Sequence, residues 1–255
     1  MEQCRKVKVS AGIVTYNNMA SIIECITLLL KHTVHEDFTL YIYDNHSNDA
    51  TVEAIKERFP HVTVLRGNKN RGFGYGHNQI LNRVDSDYHV IINPDIYLKS
   101  DVISQMVDYM EQHRDIVQLT PEIRNVDGTI QYLPKRDPSF KFVVLSKFKP
   151  FSHYRCVYTR ANESITKPIR IASSTGCFSM VKTESMKKIR GYDERFFLYF
   201  EDADLSRRLR KYGKIVYHPG MYVYHAWKRD NTRSLRGACI FLQSMMKYYL
   251  KWRKG

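Results

Sequence analysis

Short apolar runs alternate with amphipathic helical stretches along the first half of the chain, and this alternation limits the fold more than any other feature. Strands are predicted from continuous or period-two apolar patterns, and helices from apolar positions three and four residues apart. The predicted strands lie at 7–15, 38–44, 62–66, 88–93 and 116–119, and the helices at 21–31, 49–59, from 77 onward, and at 101–113. Such βαβ alternation predicts a mostly parallel sheet with helices on both faces.

Polar residues follow three of these strands at the point where each strand ends. They are Thr15-Tyr16-Asn17 after the first strand, Asp44-Asn45-His46-Ser47 after the second, and Asn93-Pro94-Asp95 after the fourth. Ligands of open parallel sheets bind beyond the carboxyl ends of the strands. We therefore expect the three clusters to meet in one crevice, which is a stronger indication of function than any single cluster.

The second half of the chain is less regular but contains a dense group of acids. The stretch from Phe196 to Leu205 places Glu201, Asp202 and Asp204 directly after five apolar residues. Crowded carboxylates repel one another, so we expect a raised pKa or a nearby cation. One such carboxylate could act as a general base toward a substrate hydroxyl. The alternative is that these acids only favour the N-terminus of a helix, predicted over 202–212.

Asp95 and His225 are candidate ligands of a divalent cation. Pro94 ends a buried strand and leaves Asp95 at the sheet edge, where a carboxylate can hold a cation that bridges phosphates. His225 ends a predicted strand over 221–225, and imidazole suits a transition metal such as manganese better than magnesium. The structural alternatives are an Asx-Pro turn and a purely structural histidine. The glycines at 72, 74 and 76 resemble a dinucleotide fingerprint only superficially, although they allow a ligand to approach the backbone.

The net charge of +14 is concentrated in two segments. Nine Lys/Arg and two acids lie between Lys135 and Arg170, and eight Lys/Arg and one acid lie from Lys228 to Gly255, so the remainder is neutral. Such local excess favours an anionic partner over a merely solvated basic surface. The first segment also contains several aromatic residues and prolines, and we predict a long loop over 134–170.

Cysteine usage and hydropathy indicate where the protein resides. Five cysteines without CxxC spacing predict a reduced compartment, with neither structural zinc nor a disulfide framework. The opening residues lack the apolar core of a signal peptide. No run approaches the ~18 apolar residues that span a bilayer. We expect a cytoplasmic protein, peripheral on the inner face of the cell membrane.

The final segment, 232–255, is predicted to form a basic amphipathic helix. At about 100° per residue, one apolar stripe contains Leu235, Cys239, Leu242, Met246, Tyr249 and Leu250, and one flank carries Arg233, Arg236, Lys247, Lys251 and Lys254. This pattern is typical of a helix on an anionic membrane surface. Packing on the protein's own core explains it equally well.

Taken together, the motifs resemble family 2 glycosyltransferases with the GT-A fold, and most closely the bacterial rhamnosyltransferase-like group. The matching pieces occur in the family's order over about residues 7–227: Val14 to Asn17, Tyr43 to Asp49, Asn70 to Asn78, Asn93 to Asp95, Gly176 to Phe178, and Gly191 to Phe197 continuing into Glu201 to Leu205 and Arg208. The resemblance implies an α/β fold with a mostly parallel, Rossmann-like central sheet. It also implies a catalytic domain over 1–231, with a donor-binding half to about 125 and an acceptor half after it, and the helix over 232–255 as an appendage.

The resemblance also implies a role for each motif. Nucleotide-sugar binding falls to Thr15, Tyr16, Asn17, Asp44, Asn45, Arg71, Gly72, Gly76, Asn78 and Asn93, with Asp44 accepting from a pyrimidine N–H. Asp95 corresponds to the metal aspartate of the family's DxD motif, in which the first acid is here Asn93. His225 completes the site for Mn²⁺ or Mg²⁺. Asp202 corresponds to the catalytic base with Glu201 beside it, and Gly176 and Cys177 line the acceptor side.

The function implied is inverting transfer of a sugar, with L-rhamnose from dTDP-rhamnose as the first choice, onto a polyprenyl-diphosphate-linked polysaccharide acceptor. UDP-hexoses and UDP-galactofuranose remain alternative donors, because a pyrimidine pocket accepts thymine or uracil with small changes. Two further alternatives are a nucleotide-sugar-binding protein without activity and a basic, aromatic-rich nucleic-acid-binding module. The last leaves the clusters at the strand ends unexplained.

Overall fold

The computed structural model describes residues 6–132, 135–226 and 234–253. In that part the strands are β1 (Val9–Thr15), β2 (Phe38–Asp44), β3 (Thr63–Arg66), β4 (Tyr88–Ile92), β5 (Ile96–Tyr97), β6 (Ile116–Arg124), β7 (Ile130–Gln131), β8 (Ile169–Arg170), β9 (Phe178–Lys182) and β10 (Lys214–His225). All ten belong to one sheet with the order β3-β2-β1-β4-β9-β6-β10-β5, and β7 pairs with β6 and β8 with β10.

Helices cover this sheet. They are α1 (Met19–His32), α2 (Thr51–Arg58), α3 (Phe73–Leu81), α4 (Val102–Gln112), α5 (Phe140–Val143), α6 (His153–Thr159), α7 (Thr183–Lys188), α8 (Glu201–Leu209) and α9 (Leu235–Lys251). Helices α1 and α4 contribute Ile22, Ile26, Leu29, Ile103 and Met106 to the main core, each fully buried. Burial of each such side chain stabilises the fold by roughly 1.5–3 kcal/mol.

The sheet has a parallel half and a mixed half. Strands β3, β2, β1 and β4 are parallel to one another, as the βαβ pattern predicted. Strand β9 is antiparallel to both of its neighbours, β4 and β6. In this register Phe178 lies opposite Ile92, so the chain before β9 arrives at the carboxyl end of β4. The mixed α/β architecture agrees with the predicted fold class, and the strand that joins its halves, β9, runs opposite to both of its neighbours.

Several boundaries differ from the predicted ones. Helix α3 begins at Phe73, four residues before the predicted start, because Gly72 at φ 93° turns the chain directly into it. The region 134–170, predicted as a loop, contains α5, α6 and two short 3₁₀ turns in its described part. The two short strands expected over 214–225 form the single strand β10, whose register with β6 shifts between His218 and Tyr222. Pro219 lies within that shift and has no N–H to donate to the ladder.

The C-terminal helix is described over Leu235–Lys251, and the predicted residues Arg233 and Lys254 lie outside the described part of the chain. In the described ranges, no helix combines the length and the apolar character required to cross a bilayer.

Candidate active site

The loops that follow β1 and β2 are joined by hydrogen bonds. The Asn45 amide donates to the Thr15 carbonyl at 2.9 Å, and the Asn17 amide donates to Ser47 Oγ at 2.9 Å. Asn17 has a left-handed φ of 53°, which asparagine tolerates better than most residues. Thr15 is buried, whereas Tyr16 is 42% exposed. Tyr16 is therefore the residue of this cluster that offers a free aromatic face to a ligand.

Asp44 at the end of β2 is fully buried. Its carboxylate accepts from the Ser47 amide and the Ser47 hydroxyl, and Arg66 Nε lies 3.5 Å from Oδ2. A carboxylate has about four lone-pair positions, so these contacts leave acceptor capacity. The carboxylate is fully buried in this structure, and the base contact expected of Asp44 stays a prediction.

Asn45 connects the end of β2 to the glycine-rich turn. Its side chain donates to the Gly72 carbonyl at 3.0 Å and accepts from the Arg71 amide at 3.3 Å. A Cβ on Gly72 would lie 2.2 Å from the Phe197 carbonyl oxygen, so no larger residue fits this contact. The Arg71 guanidinium lies 4.0 Å above the Tyr75 ring, and Arg71 is exposed.

Gly76 and Asn78 serve packing in this structure. A Cβ on Gly76 would lie 2.7 Å from a methyl group of Val14, so the glycine lets α3 approach β1. The Asn78 side chain accepts from the Tyr192 amide at 2.8 Å and donates to the Tyr192 carbonyl at 2.9 Å. It thereby holds the loop before α8 against α3. Their predicted contact with a nucleotide sugar stays a prediction.

Asp95 and His225 are brought together by the antiparallel pairing of β5 and β10. His225 lies opposite Ile96 in that ladder, and the Ala226 amide donates to the Asp95 carbonyl at 3.0 Å. The side chains meet with His225 Nε2 3.2 Å from Asp95 Oδ1. Two residues 130 positions apart in sequence thus form one candidate ligand pair. Asn93, two residues before Asp95, is half-buried, and its amide donates to the Cys177 carbonyl.

Gln131 determines which nitrogen of His225 faces Asp95. Its side-chain nitrogen donates to the His225 carbonyl at 3.0 Å and to Asn125 Oδ1 at 2.7 Å. Its Oε1 therefore accepts from His225 Nδ1 at 3.0 Å, which assigns the proton of a neutral ring to Nδ1. The lone pair of Nε2 then points toward Asp95. A second hydrogen-bonding group that fixes the ring in this way is typical of metal-binding histidines.

The Asp95–His225 pair has the spacing of two ligands on one cation. Two atoms bound at about 2.1 Å in neighbouring octahedral positions lie about 3.0 Å apart. Asp95 Oδ1 is buried and accepts no hydrogen bond within the described residues. In the same residues no group of three or more His, Cys, Asp or Glu side chains could hold a metal ion. The pair fits an ion that takes its other ligands from water and substrate phosphates, as Mg²⁺ commonly does.

Asp202 lies beside Gly176, the residue before Cys177. A Cβ on Gly176 would lie 2.5 Å from Asp202 Oδ1, so the glycine lets the carboxylate approach the backbone. Burial, with smaller contributions from the charges of Asp202 and Asp95, raises the pKa of the Cys177 thiol to about 12. Cys177 is therefore close to both carboxylates. The predicted metal ligands and the predicted base therefore face the same short segment of backbone, Gly176 and Cys177.

The two adjacent acids at the start of α8 differ in ionisation. Burial, followed by the charge of Asp202, raises the pKa of Glu201 well above its ordinary value. Burial also raises the pKa of Asp202, but the Gly176 amide and the Lys135 cation oppose that rise. Glu201 thus holds a proton more firmly than Asp202 does, a difference set by environment. Lys135 and Gln131 have no motif that marks them in the sequence.

The turn that presents these acids is strained. Tyr199 and Phe200, the two residues before α8, have left-handed φ values of 70° and 65°. Such backbone costs of the order of 1–3 kcal/mol per residue and persists only where packing enforces it. Phe200 stacks against Phe241 and Tyr248 of α9, with ring centroids 5.4 and 5.5 Å apart. Helix α9 therefore supports the backbone that carries Asp202.

The profile of glycosyl transferase family 2 matches residues 10–190. The chain is 28% identical over 204 residues to N-acetylglucosaminyl-diphospho-decaprenol L-rhamnosyltransferase of Mycobacterium tuberculosis, covering 73% of this chain and 66% of that protein, just under two thirds of its length. It is 25% identical over 230 residues to rhamnosyltransferase WbbL of Escherichia coli K12, covering 86% and 84% of the two chains.

Two solved structures share the fold. A mannosyltransferase of Pyrobaculum calidifontis, in complex with GDP-Man and Mn²⁺, superposes with a TM-score of 0.66 at 15% identity, covering 99% of this chain and 66% of that one. GalNAc-T7 with UDP, GalNAc and Mn²⁺ gives a TM-score of 0.69 at 15% identity, covering 97% and 48%. At this identity the likeness concerns the fold, and it confirms the GT-A architecture that the motifs implied.

Proposed function

Because the chain belongs to glycosyl transferase family 2, we propose that it transfers a sugar from a nucleotide-diphosphate donor onto a carbohydrate acceptor. The observation that carries this proposal is the grouping around Cys177. The Asp95–His225 pair, which fits a cation, and the Asp202 carboxyl both lie near that residue. A cation at the Asp95–His225 pair serves the leaving diphosphate, and Asp202 serves the attacking hydroxyl as its base.

The proposed reaction is a direct displacement. Asp202 removes the proton of the acceptor hydroxyl, and that oxygen bonds to the anomeric carbon while the bond from this carbon to the diphosphate oxygen breaks. The nucleoside diphosphate leaves from the opposite face, so the configuration inverts. Asp95 and His225 would hold a divalent ion, which would supply charge stabilisation to the leaving phosphates. Glu201 remains protonated beside Asp202 and so adds no second negative charge to the base.

The donor enters at the ends of β1 and β2. We propose that Tyr16 and the loops containing Thr15, Asn17, Asp44 and Asn45 hold the nucleoside, and that Arg71 and Gly72 lie beside the diphosphate. The rhamnosyltransferase names of both relatives support dTDP-rhamnose as the first donor to test. The UDP ligand of one structural neighbour keeps UDP-hexoses and UDP-galactofuranose as alternatives.

The acceptor is proposed from the mycobacterial relative, whose name specifies a sugar linked through diphosphate to decaprenol. We propose a polyprenyl-diphosphate-linked sugar, bound on the side of Gly176 and Cys177. Such an acceptor places the enzyme at the inner face of the cell membrane. Residues 1–231 are proposed as the catalytic domain, with donor and acceptor halves meeting near residue 125, and 232–255 as a helical appendage.

Helix α9 is proposed to contact that membrane through one face. Leu235, Leu242, Met246 and Leu250 are between 52% and 89% exposed and follow one stripe. On the opposite side Tyr248 is buried, so the helix packs on the protein and presents apolar groups outward at once. Lys247 donates to the Arg195 carbonyl and Lys251 to Asp193. Exposed apolar side chains therefore provide most of the proposed membrane contact.

A donor screen tests the proposal. The purified chain is incubated with dTDP-rhamnose, UDP-hexoses and UDP-galactofuranose, with Mn²⁺, Mg²⁺ or EDTA, and with a short-chain prenyl-diphosphate-linked N-acetylglucosamine. We expect a nucleoside diphosphate and a glycosylated acceptor from one donor, in the presence of metal. Donor binding without transfer at any metal concentration would identify an inactive binding protein and contradict the proposal.

A further inference from the structure

A surface cavity of about 460 Å³ lies outside the residues assigned above and is lined by four arginines. They are Arg136, Arg160, Arg170 and Arg210, accompanied by Asp137, Ile171 and Ala172. A guanidinium stays charged at any physiological pH and has five N–H donors that match the geometry of phosphate. Four of them around one cavity repel one another unless counter-charges or a bound anion are present.

Two carboxylates hold three of these arginines in place. Arg210 donates to both oxygens of Asp137, at 2.8 and 3.0 Å. Glu163 accepts from Arg136 at 3.1 Å and from Arg160 at 2.9 Å, one on each oxygen. These contacts restrict the side chains and so reduce the entropy that a ligand must remove on binding. The cavity is therefore preorganised, with part of its charge already balanced.

Arg170 provides the charge that is left over. Its side chain is exposed, and within the described ranges it makes no hydrogen bond or ion pair. Four guanidinium groups against the carboxylates of Asp137 and Glu163 leave a net charge of +2 around the cavity. A diphosphate that is esterified at both ends carries two negative charges. Charge and donor geometry therefore match that group, which guanidinium binds in a bidentate manner.

One helix and one chain segment connect the cavity to Asp202. Asp202 is at the start of α8 and Arg210 caps its end, which places them about 12 Å apart along the axis. Lys135 acts electrostatically on Asp202 and directly precedes Arg136. An acceptor can therefore place a hydroxyl at Asp202 and a phosphate at the arginines when the phosphate is attached to the far side of its sugar.

Apolar side chains near this cavity indicate what the anion is attached to. Phe140, Phe148, Phe151 and Val157 are between 41% and 58% exposed. They lie on the segment around α5 and α6, which also bonds to Arg136 through the Val157 carbonyl. Several exposed apolar groups on one short segment are typical of a surface that meets lipid or another apolar partner. A free inorganic anion requires no such surface.

We propose that the arginine-lined cavity binds the diphosphate of a lipid-linked acceptor while the sugar of that acceptor reaches Asp202. This inference rests on the proposed function, since it names the acceptor group that the same active site uses. It assigns a purpose to the basic excess between Lys135 and Arg170, which the donor site does not involve.

Calorimetric titration with geranyl diphosphate, a water-soluble prenyl diphosphate, tests the cavity without any sugar transfer. EDTA is present, so that no divalent ion holds the probe at Asp95. We expect R170Q and R136Q each to weaken binding about tenfold or more, and R170K to weaken it less. The matched control is R114Q, because Arg114 is 80% exposed and lies outside the cavity. Equal affinity in R170Q, R136Q and R114Q overturns the proposal, and two separate cavity variants guard against a folding failure of one.

Inorganic pyrophosphate and geraniol separate the possible sources of binding. We expect geranyl diphosphate to bind more tightly than pyrophosphate, and geraniol to bind weakly. If pyrophosphate binds as tightly as the lipid probe, the cavity takes a free anion and the lipid assignment is wrong. If the R170Q variant transfers sugar normally and its KM for the acceptor is unchanged, only this inference is contradicted. A chain that binds the probe but transfers no sugar contradicts only the proposed transferase activity.

Discussion

At the scale of single residues, the chemistry depends on groups that set the state of their neighbours. Lys135 and the Gly176 amide favour the ionised form of Asp202, and Gln131 directs the Nε2 lone pair of His225 toward Asp95. Asp95, Asp202 and His225 could be selected from the sequence because each ends a strand or follows an apolar run. Gln131 and Lys135 could not, since long-range pairing alone brings β7 and the chain after it to the site.

Removal of the Lys135 charge should shift the pH dependence of activity. A nearby cation lowers the pKa of a carboxyl group, so K135M raises the pKa of Asp202 above its already elevated value. Asp202 is then protonated at higher pH, and the acid limb of the kcat/KM profile moves upward. The matched control K56M, on the exposed face of α2, should leave the limb in place. A limb that stays fixed or moves downward in K135M contradicts the role of Lys135.

Loss of the Gln131 side chain should weaken metal binding. Q131L frees the His225 ring to rotate and removes the acceptor of its Nδ1 proton, so we expect affinity for Mn²⁺ to fall about 10- to 100-fold. Electron paramagnetic resonance titration measures free Mn²⁺ directly. Q105L, an exposed substitution on α4, serves as the control. Equal Mn²⁺ affinity in both variants would show that Gln131 has no role in metal binding.

At the scale of elements, the strands and helices that hold the site differ in how well the sequence predicts them. In the parallel half, the predicted strands agree with the observed ones to within about two residues at most ends, because βαβ units have strong local patterns. Strand β6 extends to Arg124, well beyond its predicted end. Strand β9 runs against its neighbours, and only the full sheet pairing reveals this. The strained turn at Tyr199 and Phe200 also follows from tertiary packing, since aromatic residues rarely adopt a positive φ.

Substitution of Tyr248 in α9 tests whether this helix supports the turn before α8. It is 1% exposed and packs with Phe196 and Ala203, so Y248A should lower the free energy of unfolding by about 3–5 kcal/mol. Activity should fall as well under conditions in which the protein remains folded, because the turn before Glu201 loses its packing. Urea denaturation and a transfer assay on the folded variant measure the two effects. Y212A, at a residue that is 47% exposed, should change neither by much, and equal behaviour of the two variants contradicts the support.

At the scale of the whole molecule, the excess positive charge and the exposed apolar surface lie outside the residues proposed to bind the metal and to act as the base. The basic excess of the sequence predicted an anionic partner, and the structure places part of it around one cavity. The apolar stripe of α9 could be read from its spacing, but its exposure could not, because the same spacing suits a buried face. The packing of Tyr248 on the protein decides which face remains outward.

Membrane contact by α9 is measurable with the intact chain. We expect L242S/L250S to reduce sedimentation with anionic phosphatidylglycerol vesicles several-fold, because both side chains are more than half exposed and each buries apolar surface in the interface. V34S is the control, since Val34 is 73% exposed and lies outside α9. Unchanged sedimentation of the double variant shows that another surface, or none, meets the membrane.

The central claim is that Asp202 removes the proton of the acceptor hydroxyl, and that Asp202 faces a cation at Asp95 and His225 across a shared crevice. A comparison of two isosteric variants tests this claim most directly. Steady-state transfer is measured for D202N and E201Q, together with donor affinity in the presence of Mn²⁺. We predict that D202N loses transfer about 100-fold or more while it binds the donor normally. E201Q should lose little, because burial raises the pKa of Glu201 well above its ordinary value and so favours its neutral form. Normal turnover by D202N, or equal losses in the two variants, contradicts the account.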